Sequence, residues 1–164
     1  MGLLYLQDSN HGNTLWPYAL ALYARPGVTQ ACLTLQGAGA DVCLLLTGAW
    51  LGSRGITLTI ERRRLLEIVA APWRATVVEP LRVLRTYWKP AAQTDTALAA
   101  LRERLKQLEL DAEHELLTRL EQASVGWSLT AQPDPAGWLA ALAGPAGTAE
   151  PGALDTLTQA ALHV

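Results

Sequence analysis

Residues 41–52 read Asp41-Val42-Cys43-Leu44-Leu45-Leu46-Thr47-Gly48-Ala49-Trp50-Leu51-Gly52, and this stretch decides the fold. From Val42 on, apart from Thr47, it is apolar on every side of a 3.6-residue turn. A helix of that kind has no solvated face and must be enclosed by other helices. Its apolar run is about half the length needed to span a bilayer, so enclosure by protein rather than lipid is expected. Asp41 stands at the helix N-cap position, where a carboxylate accepts free backbone N–H groups. Gly52 and Gly55 close the segment.

On the N-terminal side, residues 1–12 read as a leader, because Asp8-Ser9-Asn10-His11-Gly12-Asn13 is turn chemistry. A first helix then starts at Asn13 or Thr14 and runs to Tyr23 or Ala24, and a second covers 27–36 after Arg25-Pro26-Gly27. On the C-terminal side a fourth helix begins near Thr57 or Thr59 and reaches Ala71. Pro72 starts or kinks a fifth, which runs to Lys89 with Pro80 inside it, where a bend or local shift is expected. Trp73, Val77, Leu81, Leu84 and Trp88 share one face of that helix and are assigned to the core. Residues 95–122 form one helix of about 40 Å. Leu98, Leu101, Leu105, Leu108 and Ala112 give it an apolar stripe, which Leu116, Leu117 and Leu120 continue slightly out of phase. Short helices at 134–143 and 152–162 flank a Gly144-Pro145-Ala146-Gly147 linker. The expectation is an all-α chain: a single compact bundle of five to seven helices over 13–123, with 124–164 packing on it or trailing it.

Composition agrees. Of 164 residues, 31 are Leu and 27 Ala, whereas Val and Ile together supply 11 and Phe none. β-Sheet architectures need the β-branched and aromatic residues that are scarce here. The two cysteines, Cys32 and Cys43, sit in apolar stretches and read as buried thiols in a reducing compartment. With no basic region ahead of an apolar run, no secretory signal is expected, and the chain is assigned to the cytoplasm.

The stretches Leu15-Trp16, Ala19-Leu20-Ala21-Leu22-Tyr23-Ala24-Arg25-Pro26-Gly27-Val28, Ala31-Cys32-Leu33-Thr34-Leu35-Gln36 and Gly39 to Gly52 carry a pattern. It resembles that of an uncharacterised proteobacterial family of small proteins, a domain of unknown function. Ala71-Pro72-Trp73-Arg74 and Pro80-Leu81-Arg82 fit the same pattern, so the resemblance covers roughly residues 14–90. It implies no assigned activity.

Chemistry is sparse. His11, His114 and His163 are scattered, and neither cysteine has a second one two residues away, so no metal site is expected. There is no Gly-x-Ser-x-Gly elbow and no Gly-rich phosphate loop following a strand, so no cofactor is expected. A net charge of -2 gives no general reason to expect nucleic acid. Asp41 is the only acid between Ser9 and Ile60. It reads first as a helix cap, and second as part of a polar pocket with Trp16, Tyr23, Arg25 and Trp50.

The charge pattern is more telling. Residues 61–90 hold seven basic and three acidic side chains, whereas 91–125 hold four and seven. Arg74, Arg82, Arg85 and Lys89 fall on one stripe of the fifth helix. They either face the acidic long helix within a hairpin or present a docking surface. The functional expectation is a non-enzymatic helical protein that binds a protein partner with an acidic surface, or a second copy of itself. A small-molecule or enzymatic bundle with an aromatic pocket near Asp41 is the alternative.

Overall fold

The computed structural model describes residues 14–129 and 132–164; the expected leader lies outside them. The chain folds as α1 (Leu15–Tyr23), α2 (Val28–Gly37), α3 (Val42–Ser53), α4 (Ile60–Trp73), a π turn (Arg74–Val78) and α5 (Glu79–Tyr87). A 3₁₀ turn (Ala91–Gln93) leads to the long α6 (Thr96–Ala123), then α7 (Pro135–Ala143), α8 (Pro145–Ala149) and α9 (Pro151–Ala161). The fold class is all-α, with one long helix in the C-terminal half.

The apolar stretch behaves as its composition demands. Cys43 to Gly52 are buried without a gap, and α1, α6 and α7 pack around α3. Thr47, the one hydroxyl in the run, donates to the Cys43 carbonyl at 2.7 Å, so burial leaves it satisfied. α7 approaches closely because α3 presents Gly48 and Gly52 to it. A Cβ on Gly52 would lie 2.4 Å from the Pro135 Cα, and one on Gly48 2.6 Å from a Leu142 methyl. Trp138 fills the space beside them, fully buried, its Nε1–H donating to the Ile56 carbonyl at 2.7 Å. The segment after residue 124 therefore completes the core.

Prolines set the helix starts. Pro135, Pro145 and Pro151 each open a helix, where the missing N–H has no intrahelical partner to lose. For this reason the expected Gly144–Gly147 linker contains a short helix of its own. At the turn into α2, Gly27 takes a φ of 80°, a conformation that costs glycine little.

The fifth helix differs from expectation. α4, the π turn and α5 run on without a break, and the amide of Glu79 bonds to the carbonyl of Arg74, five residues back. This wider turn comes just ahead of Pro80, which has no N–H to donate, and it takes up the proline within the helix. α5 buries none of its residues. Of the face carrying Trp73, Val77, Leu81, Leu84 and Trp88, assigned to the core from the sequence, Trp73 packs against the core cluster, Val77, Leu81 and Trp88 are partly buried, and Leu84 is 39% exposed. α5 packs on α6 rather than on α3, so the pair forms a hairpin flanking the core.

Candidate functional site

The hairpin is joined by charge. Arg82 and Arg85 lie three residues apart and Glu109 and Glu113 four apart, spacings that put each pair on one face of its helix. Arg82 Nε donates to Glu109 Oε1 at 3.0 Å and its Nη2 to Glu113 Oε1 at 2.7 Å. Arg85 Nε donates to Glu109 Oε2, and its Nη2 to Oε1. Glu109 thus receives two guanidinium groups while being only 6% exposed. Arg102 Nε ties α6 back to the Arg85 carbonyl at 3.0 Å. With its amide oxygen turned inward, Gln36 of α2 accepts from Arg82 Nη1 at 3.0 Å.

Burial and charge oppose each other in this network. Burial raises the Glu109 pKa, but the hydrogen bonds and charges of Arg85 and Arg82 outweigh it and hold the carboxyl below its usual range. At Glu113 burial wins over Arg82, and the pKa is raised. Burial likewise raises Asp41 against the Leu44 and Cys43 amides and Arg74. Tyr23 is raised chiefly by burial.

A cleft of about 420 Å³ opens beside this network. Tyr23 at the end of α1 and Leu33 and Gln36 of α2 form one wall. Arg82 and Arg85 of α5, with Lys106, Leu110 and Glu113 of α6, form the other. Leu33 and Leu110 are 52% and 44% exposed, so two large apolar side chains stand in solvent on its opposite walls. At the α6 wall Lys106 and Glu103 make a loose pair at 3.8 Å, both well exposed.

The residues singled out from the sequence are redistributed. Arg82, Arg85 and Tyr23 meet in the cleft. Arg74 and Asp41 lie just behind it, around a cavity of about 20 Å³ that also touches Cys43, Arg82 and Glu113. That volume is room for one water molecule. Lys89 is exposed beyond the C-terminal end of α5. The cationic stripe is therefore no open surface, since its two central members are spent inside the hairpin. Nor do the other aromatic candidates line one pocket. Trp50 is in the core under the Arg54 guanidinium, Trp16 stacks on His114 with ring centroids 3.9 Å apart, and Arg25 lies near Asp155 and His163 of the C-terminal segment. Helix α1 separates Trp16 from Tyr23 by two turns, and α3 faces Trp50 inward.

Glu109 and Glu113 are the cleft residues that the sequence reading passed over. A signal was present at Glu109, which falls four residues after Leu105 and three before Ala112, inside the apolar stripe of α6. A carboxylate in that register is buried and requires a cation.

No curated protein and no solved structure matches this chain. A family model described as a protein of unknown function, DUF2390, matches residues 14–120, which include every residue of the cleft. The chain belongs to the DUF2390 family.

Proposed function

We propose that this chain is a non-enzymatic binding protein that takes a segment of a protein partner into the cleft between α2 and the α5–α6 hairpin. The observation that carries the reading is the pair Leu33 and Leu110, exposed on facing walls of an open cleft whose floor is fixed by buried ion pairs. Solvated leucines on a rigid frame gain apolar contact at little ordering cost when a helix or strand lies between them. The partner segment is amphipathic, with apolar side chains for Tyr23, Leu33 and Leu110 and a carboxylate for Lys106. That carboxylate replaces Glu103, whose exposed pairing with Lys106 contributes little. The cavity at Asp41 is too small for a metabolite, and this argues against the small-molecule alternative. Buried, free Cys32 and Cys43 suit a reducing compartment, and we place the binding in the bacterial cytoplasm.

Photo-cross-linking in living cells tests this. A photoreactive residue at Leu33 and one at Leu110 should capture the same protein, and one at Ile68, exposed on α4 away from the cleft, should not. Capture of the same protein from Ile68 with equal yield would contradict the cleft as the binding site.

A further inference from the structure

The opposite flank of α6 carries a second surface. At 100° per residue, Leu101, Arg104, Leu108 and Asp111 gather on the side of the helix turned away from Lys106, Leu110 and Glu113. They line two adjoining apolar hollows that share Leu108 and Asp111 and together make a groove along the hairpin, walled on the other side by Trp73 and Leu81 in one and by Trp88 in the other. Leu101 and Leu108 are 49% and 52% exposed. Apolar side chains of this size in a row with no covering element mark an interface more often than they occur by chance.

Of the charged side chains that line the groove, Glu115 is paired with Arg119 at 2.8 Å, and the two left over, Arg104 and Asp111, select the occupant. Arg104 stands one turn before Leu108 and Asp111 one turn after it. No ion pair among the described residues includes either; Asp111 accepts only from Gln107, at 2.9 Å. A stripe with a cation on one side of an apolar centre and an anion on the other is complementary to itself turned end for end. We propose that this groove is a homodimer interface in which α6 packs antiparallel against α6 of a second copy, with the two-fold axis at Leu108. Leu108 then meets its mate, and Arg104 of each copy pairs with Asp111 of the other. Such an isologous contact closes on itself and stops at two copies. It leaves the cleft, on the far side of α6, open in both.

The full chain is tested by sedimentation and by disulfide trapping. Wild type sediments as a dimer. Arg104→Asp raises the dissociation constant about tenfold or more, and Arg104→Asp with Asp111→Arg restores it. Cys32 and Cys43 are buried and stay out of the trapping reaction. Under mild oxidation Leu108→Cys gives a covalent dimer. Leu101→Cys does not, because its mate lies about 20 Å away across the axis. A wild-type chain that stays monomeric throughout a concentration series would overturn the proposal. So would a charge swap that fails to restore association, or trapping through Leu101→Cys as efficient as through Leu108→Cys.

Discussion

Asp41 Oδ1 accepts from the backbone amides of Cys43 at 2.9 Å and Leu44 at 3.3 Å, which makes it the cap of the buried helix. Asn offers the same acceptor, so Asp41→Asn should leave stability nearly unchanged, whereas Asp41→Ala should lose about 1 kcal/mol on chemical denaturation. This role was legible in the sequence, because an acid ahead of a wholly apolar run has an evident local task. Glu109 has a long-range task, and nothing local announces its two arginines. Its pKa is lowered by folding, so the stabilisation it brings is fully present above the usual glutamate range and is lost as pH falls through its folded value. Glu109→Gln should cost about 3 kcal/mol near neutral pH, since it leaves two guanidinium groups short of a buried partner. Thermal melts over a pH series should show the gap between variant and wild type narrowing below pH ~4.5. A gap independent of pH would mean that packing, not charge, holds α5 to α6.

At the scale of elements, the contact between α3 and α7 depends on two missing side chains. A Cβ on Gly52 meets the backbone of Asp134 and Pro135, which cannot move without shifting α7. On Gly48 it meets chiefly the end of the Leu142 side chain, which can rotate away. Gly52→Ala should therefore cost about 3 kcal/mol or more and Gly48→Ala distinctly less, despite the helix propensity that alanine adds to both. Equal losses in urea denaturation would contradict the close backbone approach. The helices themselves were readable from periodicity, capping and proline placement, with α3 the clearest. The face of α5 was not, because period alone places an apolar stripe without naming what covers it. Trp73, Val77 and Leu81 have the spacing of core residues, yet only Trp73 of the three packs against the core cluster, and Val77 and Leu81 lie beside Leu108 and Ala112 of α6. The cationic and acidic segments were visible as blocks. That they neutralise each other within one hairpin required the third dimension.

For the whole molecule, the core around α3 gives stability, and the charged hairpin beside it carries both flanks proposed for binding. Reversing the charges with Arg82→Glu and Arg85→Glu would set two further carboxylates against Glu109 and Glu113. The expected fall in melting temperature is on the order of 10 °C. A melting temperature unchanged by the double reversal would show that these ion pairs contribute no more than ordinary surface charges. The central claim is that the cleft between Leu33 and Leu110 receives a partner segment. Its most direct test is the equilibrium affinity of purified wild type for the protein captured there, beside that of the Leu33→Glu, Leu110→Glu double variant. Both side chains are half in solvent, so the variant should keep its melting temperature while its Kd rises about tenfold or more. A Kd equal to that of wild type, in a variant that is folded, would contradict the account.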